Sequence, residues 1–244
     1  MQHPATYGIQ PDERLSSLLM RCNGFTAEAF PYGAVLLRQE VRDLEMKSHL
    51  ELVNRLKAEQ GYLKAMPDGD ADQKEAKLTA IAQTDTALQQ LEATAPVGRV
   101  VIHIPSDLKR LAKTASDIPL RDGDVLIIPK KADYVTVSGQ VFNPTAVSYI
   151  PGRSAKWYLS QSGGLTQIAD RSGIFVVRAD GSVLSARNVS EFWMGDPLSA
   201  VLKPGDSIVV PEKAPRLAPR NWATLMQAAQ VASSAALTVA YIHP

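Results

Sequence analysis

Three short stretches decide the fold of this chain: GQVFNP at residues 139–144, GG at 163–164 and PGD at 204–206. Runs rich in β-branched residues, each bounded by Gly, Pro or Asp, lie around them at 135–141, 174–178 and 207–210. Such runs are typical of strands joined by turns. Residues 155–162 predict a short helix that ends at the glycine pair, because glycine commonly follows a helix C-terminus. Together these signals predict one compact α/β module.

The same pattern of turn residues occurs a second time. At an offset of 140 positions, which we call the first offset, residues 2–38 align with residues 142–178 without a gap. The identical pairs include Pro4 and Pro144, Pro11 and Pro151, Leu19 and Leu159, Gly24 and Gly164, Thr26 and Thr166, Ala29 and Ala169, Gly33 and Gly173, and Arg38 and Arg178. Residues 120–131 align with 202–213 at a second offset of 82 positions, so the first copy carries an insertion, which we place at 39–96. Turn residues that recur in register predict that the backbone bends at the same places, and hence a duplication.

Four motifs of the second copy carry a family resemblance. They are a strand followed by Pro-x₆-Pro, a short helix ending in Gly-Gly-x-Thr, a Val-x-Arg-x-Asp-Gly hairpin and a closing Leu-x-Pro-Gly-Asp-x-Ile-x-Val-Pro. This combination resembles the SLBB domain, a β-grasp-like ligand-binding fold, and tandem copies resemble bacterial polysaccharide export proteins. The resemblance implies a non-enzymatic protein of the cell envelope (periplasm or outer membrane) that handles a capsular or exopolysaccharide as a homo-oligomeric ring. Family members usually begin with a signal peptide and an N-terminal export domain, and neither is recognised here. We therefore expect a first module that is truncated at its N-terminus.

The inserted segment predicts a long helical hairpin. Apolar residues recur at helical spacing among charged residues in 39–66 and again in 71–93, and Pro67-Asp68-Gly69-Asp70 predicts a turn between them. At 1.5 Å per residue, two such helices predict an antiparallel coiled-coil-like arm that projects about 35 Å. Its apolar seam is thin. The arm is therefore either a solvated spacer or a docking arm for a neighbouring subunit or an inner-membrane polysaccharide co-polymerase.

The C-terminal segment predicts an uncharged helix with one polar stripe. A Pro-rich hinge at 214–220 precedes residues 222–242, which as a helix would span about 30 Å, the thickness of a bilayer core. The polar residues recur at helical spacing: Gln227, Gln230, Ser234 and Thr238. A polar stripe among small residues is typical of a helix that lines a water-filled pore with its neighbours, and the resemblance implies such a pore. The alternative is a helix that packs on the globular part with its stripe facing solvent.

Composition and motifs argue against nucleic-acid binding, metal binding and catalysis by this chain. A net charge of +1 argues against nucleic acid as the main partner. The single cysteine, Cys22, excludes an internal disulfide and a cysteine-based metal cage. The histidines lack metal-ligand spacing, and the nearest approach to a base and its orienting carboxylate, His103 with Asp107, has no accompanying nucleophile motif. We expect no enzyme activity, no cofactor and no metal.

Three aromatic residues are the candidate saccharide contacts: Trp157, Tyr158 and Trp193. Aromatic rings can stack on sugar faces, but they are more often core residues, and this alternative stays open. Asp124 and Asp206 follow glycine in turns and are expected to cap backbone amides. A carboxylate could instead bind a sugar hydroxyl there, but the sequence does not indicate it.

The predicted fold class is α+β, with two tandem β-grasp-like SLBB modules. Residues 1–38 plus 97–131 form the first module, 39–96 the inserted hairpin, 132–213 the second module, and 214–244 the hinge and C-terminal amphipathic helix. Within the first module we expect a strand at 3–9, a helix at 13–22, strands at 34–37 and 99–104, and a loop at 109–115. The short connection at 130–133 predicts that the modules pack together. The functional alternatives are a soluble ligand-binding or scaffold module without a transport role and, more weakly, a glycan-modifying enzyme.

Overall fold

The computed structural model describes residues 1–185, 196–214 and 228–231. Its helices are α1 (Leu15–Arg21), α2 (Gln39–Ala65), α3 (Ala71–Ala93), α4 (Leu108–Leu111) and α5 (Ala155–Gln161). Its strands are β1 (Val35–Leu37), β2 (Arg99–Val100), β3 (Val125–Ile127), β4 (Tyr134–Gly139), β5 (Thr145–Ser148), β6 (Phe175–Val177), β7 (Val183–Ser185) and β8 (Ser207–Val210). The strands form a three-stranded and a five-stranded sheet. The described chain is therefore a mixed α+β structure, as the sequence predicts.

The five-stranded sheet has the order β5-β4-β8-β6-β7. Strand β4 runs parallel to β8, and the other pairings are antiparallel. Helix α5 packs on the sheet through a core made of Val135, Val137, Val141, Ala155, Tyr158, Leu159, Ala169, Ile174, Val176, Leu198, Leu202, Ile208 and Val210. Burial of these apolar side chains is the main force that holds the helix on the sheet. The three strands and the helix predicted in 135–213 are confirmed.

The three-stranded sheet has the order β2-β1-β3 and corresponds to β7-β6-β8 of the larger sheet. The first residues of β1 and β6 are related by the first offset, and those of β3 and β8 by the second offset. The first residues of α1 and α5 are also related by the first offset. Helix α1 covers its own sheet through a core that contains Leu15, Leu19 and Leu36. The structural elements therefore recur at the same two offsets as the sequence.

Backbone hydrogen bonds between distant segments also recur in pairs. Phe30 N donates to Pro129 O at 2.8 Å, and Asp170 N donates to Pro211 O at 2.8 Å. The same equivalence relates other pairs: Leu15 N to Ile118 O and Ala155 N to Ala200 O, Leu120 N to Glu13 O and Leu202 N to Arg153 O, and Gly24 N to Leu19 O and Gly164 N to Leu159 O. One backbone framework is thus built twice. We call residues 1–38 with 97–131 the first unit and residues 132–213 the second unit.

Residues 3–9 do not form the strand that we predicted. In the second unit the corresponding strand, β5, pairs with β4 and with no other described strand. The described part of the first unit contains no strand equivalent to β4, so residues 3–9 have no neighbouring strand with which to pair. Two other predictions differ in detail: the strand expected at 99–104 is limited to β2, and the one-turn helix α4 overlaps the loop expected at 109–115.

Helices α2 and α3 form the predicted hairpin, with ends that agree closely with the prediction. The hairpin lies between β1 and β2, where the second unit has only the tight turn at 178–182 between β6 and β7. Its seam buries Leu56, Leu88 and Leu91. Midway along α3, Gln83 Nε2 donates to Glu212 Oε1 of the second unit at 2.7 Å. The hairpin therefore contacts the second unit at this point and is not surrounded by solvent along its whole length.

Residues 228–231 form one helical turn that contacts both the hairpin and the second unit. Ala229 is buried in the cluster that contains Val53, Leu88 and Leu91. Val231 packs on the cluster formed by Phe175, Val177 and Val209. The rest of the helix predicted at 222–242 lies outside the described residues. None of the described helices has the length and apolar character needed to cross a bilayer.

Candidate functional site

Two of the three predicted saccharide contacts lie side by side on α5. Tyr158 is fully buried, and its hydroxyl accepts a hydrogen bond from Ile150 N at 2.9 Å and donates to Ile150 O at 3.0 Å. Its ring has no face available to a sugar, so Tyr158 is a core residue that fixes the segment before α5. Trp157 is half-buried, with the Arg153 guanidinium 5.2 Å from its ring centroid. The third residue, Trp193, lies outside the described residues.

The predicted pore-facing stripe is described at one position only. Gln230 is half-buried in a groove of about 470 Å³ between α3 and the second unit. Its Oε1 atom is buried and has no hydrogen-bond partner among the residues that the structure describes. The other stripe residues, Gln227, Ser234 and Thr238, lie outside the described residues. In this arrangement Gln230 faces its own chain, and the pore-facing role of the stripe stays a prediction.

The two units meet around Tyr32. Arg178 Nη1 donates to Tyr32 Oη at 3.4 Å, and Lys203 Nζ lies 3.7 Å from the centroid of the Tyr32 ring. Burial raises the pKa of Tyr32 to about 12, so the hydroxyl stays protonated at neutral pH. Nearby, Arg99 Nη2 donates to Ala179 O at 2.6 Å. The units are therefore packed against each other, as the short connection between them predicts.

His103 also belongs to this junction. Its Nδ1 atom lies 3.1 Å from Asp180 Oδ2 of the second unit. Asp107, the partner suggested by the sequence, instead accepts a hydrogen bond from Lys109 N at 2.9 Å and caps α4. The described residues contain no cluster of three or more His, Cys, Asp or Glu side chains able to hold a metal ion.

Asp206 and Asp124 cap equivalent turns, as the sequence predicts. Asp206 Oδ2 accepts from Lys203 N at 2.8 Å, and its Oδ1 accepts from Ala179 N at 3.0 Å. Asp124 Oδ2 accepts from Arg121 N at 2.9 Å. Asp206 is fully buried, and this burial raises the pKa of its carboxyl even though the two amide hydrogen bonds act to lower it. Both carboxylates are therefore engaged by their own backbone rather than offered to a ligand.

The arginine beside this carboxylate behaves differently in the two units. Arg38 donates two hydrogen bonds to Asp124, at 2.9 and 2.8 Å. In the second unit Arg178 Nη1 lies 4.0 Å from Asp206 Oδ2, because Arg178 also reaches the hydroxyl of Tyr32. The sequence alignment pairs Arg38 with Arg178 and gives no sign of this difference. Tyr32 belongs to the other unit, and no local pattern marks contacts between units.

Comparison with known proteins gives a domain match within the second unit. The SLBB domain model matches residues 134–185. The polysialic acid transport protein KpsD of Escherichia coli is 40% identical over 91 residues, which is 37% of this chain and 14% of that protein. A second E. coli sequence of the same name gives the same figures. The uncharacterized protein YjbG of E. coli strain K12 is 30% identical over 154 residues, 63% of this chain and 57% of YjbG.

These matches cover only parts of the relatives. The chain spans about one seventh of each KpsD sequence and somewhat more than half of YjbG. Residues 134–185 thus match the SLBB domain, and the chain is similar to a polysaccharide transport protein over a limited region.

Proposed function

We propose that this SLBB-domain protein is a non-enzymatic component of a bacterial polysaccharide export system in the cell envelope. The observation that carries the proposal is the SLBB match at residues 134–185 together with the similarity to a polysaccharide transport protein. The side chains that could suggest catalysis support this assignment. His103 lies against Asp180 across the unit junction, and Asp124 and Asp206 cap turns. Polysaccharide would therefore be guided without covalent chemistry.

The first unit would be a second SLBB module with a smaller sheet. The backbone hydrogen bonds that recur in pairs at the two offsets support this division. So do the matching strand sets β2-β1-β3 and β7-β6-β8. The modules would then be residues 1–38 with 97–131 and residues 132–213, with the hairpin at 39–96 inserted in the first.

Homo-oligomerisation through the modules would place several copies around a passage for the polymer. The outer edge of β5 in the second unit pairs with no other described strand. Such an edge can be completed by a neighbouring chain. Phe142, Ile168 and Val201 of the same unit are large apolar side chains that are more than half exposed. Exposed apolar surface of this kind often marks a protein contact.

The tip of the hairpin and the C-terminal segment would supply the remaining contacts. Tyr62 and Leu78 are more than half exposed near the tip, which suits a docking arm for a neighbouring subunit or an inner-membrane polysaccharide co-polymerase. The C-terminal helix at 222–242, with its polar stripe, would seat the assembly in a membrane and line the exit.

The second candidate is a soluble ligand-binding or scaffold module, and one observation favours it. Ala229 is buried against the hairpin and Val231 packs on the second unit, so this turn of the C-terminal segment lies against its own chain. If the rest of the C-terminal segment followed this turn along its own chain, the segment would not be available to line a pore.

The oligomeric state in detergent distinguishes the two candidates. The full chain and a variant without residues 222–244 would be compared by sedimentation, with and without a mild detergent. The export proposal expects a defined oligomer of the full chain that depends on residues 222–244. Deletion of the gene in its host is expected to remove polysaccharide from the cell surface. The scaffold would be favoured if the chain is a monomer with or without residues 222–244 and if the host keeps its surface polysaccharide after the gene is deleted.

A further inference from the structure

A positively charged cavity lies where the two units meet. Its volume is about 730 Å³, it is open to solvent, and Tyr32 is among the residues that line it. The first unit contributes Arg110 and Lys131, and the second unit contributes Lys203. Phe30 and Tyr32 form an aromatic wall, with ring centroids 5.5 Å apart in an edge-to-face arrangement. Among the described lining residues there is no aspartate or glutamate.

The three cations of this cavity have no carboxylate partner among the described residues. Other cations of the first unit are engaged: Lys130 pairs with Glu28 at 2.9 Å, and Arg38 pairs with Asp124. The side chains of Arg110, Lys131 and Lys203 are exposed at the cavity. Their positive charges therefore add in one place, and such a concave cluster attracts anions.

Two contacts from the second unit hold Tyr32 in the wall of the cavity. The Tyr32 hydroxyl accepts a hydrogen bond from Arg178, and Lys203 Nζ lies over the Tyr32 ring. Both partners belong to the second unit, whereas Tyr32 belongs to the first. The cavity thus exists only when the two units are packed, and a ligand in it would contact both.

We propose that this cavity binds a carboxylate-bearing sugar residue of an acidic polysaccharide. Lysine and arginine donors form charge-assisted hydrogen bonds with a carboxylate. Ser106, Thr114 and Ser116 line the same cavity and can bond to sugar hydroxyls, while the aromatic wall suits the apolar face of a sugar ring. The inference rests on the proposed function, because it names the chemical class of the polymer that the export component would guide.

The test uses the full chain and a set of matched probes. Two acidic probes are oligomers of N-acetylneuraminic acid and of galacturonic acid. A maltooligosaccharide of equal length is the neutral probe, and oligoglutamate of equal charge is the non-sugar anion. Binding is measured by calorimetry at about 0.15 M salt, because ionic strength screens exposed charges.

The variant to compare replaces the three cavity cations together: Arg110→Gln, Lys131→Gln and Lys203→Gln. Its control replaces three exposed lysines that line none of the cavity: Lys47→Gln, Lys64→Gln and Lys156→Gln. Both triple variants lose the same net charge, so a general charge effect changes them equally. We expect at least one acidic sugar oligomer to bind, with affinity about tenfold or more weaker in the cavity variant and within about twofold of the original in the control. Equal thermal unfolding of both variants shows that the fold is kept.

The outcomes separate this inference from the proposed function. If an acidic oligomer binds but both triple variants bind equally, the cavity assignment is wrong and the export role stands. If the neutral probe binds as tightly as the acidic probes, or oligoglutamate binds as tightly as both sugars, the inferred ligand class is wrong. If no saccharide probe binds the full chain, the inference is overturned, while loss of surface polysaccharide on gene deletion would still support the export role.

Discussion

Replacement of the buried carboxylate Asp206 by alanine tests the framework of the second unit most directly. The change leaves Ala179 N and Lys203 N, which now donate at 3.0 and 2.8 Å, without an acceptor. An unsatisfied buried donor costs about 1–3 kcal/mol. The variant also avoids the desolvation cost of burying a carboxylate, and this gain offsets part of the loss. We therefore expect the free energy of unfolding to fall by about 2–4 kcal/mol.

The pH dependence of this loss has a definite sign. Burial raises the pKa of Asp206 in the folded protein above the ordinary value of 3.8. An acid whose pKa is higher in the folded than in the unfolded state contributes its full stability below the unfolded pKa. That contribution falls as pH rises through the folded pKa. The stability difference between the original protein and Asp206→Ala is therefore expected to be larger at about pH 4 than at about pH 7.

Urea unfolding at several pH values measures this difference. Fluorescence reports on the second half of the chain, because Trp157, Trp193 and Trp222 all lie there. The control is Asp196→Ala, which removes an exposed cap in the second unit that accepts from Leu198 N at 3.0 Å and should cost about 1 kcal/mol. The reasoning would be refuted if Asp206→Ala cost no more than this control, or if its cost grew with pH.

Three further substitutions test other parts of the structure, each by urea unfolding. Gly139→Ala should destabilise the protein by about 2 kcal/mol or more, because φ is +88° and the new Cβ would lie too close to Val210 O. Its control, Gly152→Ala, has φ +77° but open space around it and should cost only about 1 kcal/mol. Equal losses for the two variants would contradict the close approach at Gly139. Tyr158→Phe should cost about 1 kcal/mol because Ile150 N loses its acceptor, and no loss would show that the hydroxyl bonds are dispensable. Leu56→Ala, at a fully buried position of the hairpin seam, should cost about 2–4 kcal/mol. In the variant, helical circular dichroism should fall at a lower urea concentration than the one at which tryptophan fluorescence changes. Simultaneous loss of both signals would show that the hairpin and the second unit unfold together.

The elements of the fold were predictable because their signals are local. Both hairpin helices were found with nearly their observed ends, since a proline-and-aspartate turn separates two stretches of helical periodicity. The strand expected at 3–9 was the main error. These residues align with β5 at the first offset, but a strand forms only when another strand is present to complete its hydrogen bonds.

The candidate site was much less predictable. The aromatic pair on α5 was chosen by residue type, and the structure buries Tyr158 completely while leaving Trp157 half-exposed. The cations of the junction cavity, Arg110, Lys131 and Lys203, were not singled out at all. They lie far apart in the sequence, so no spacing rule connects them.

The sequence alone determined the repeated framework, the position of the inserted hairpin and the turns where glycine and aspartate bend or cap the chain. Each of these depends on backbone sterics and hydrogen bonds among residues that are close in sequence or repeated in register. Only the tertiary structure decided that α3 lies beside the second unit, that Tyr32 draws Arg178 away from Asp206, and that three cations share one cavity. These contacts depend on how two separately specified units pack, and that packing is set by the shape and charge of whole surfaces rather than by any short pattern.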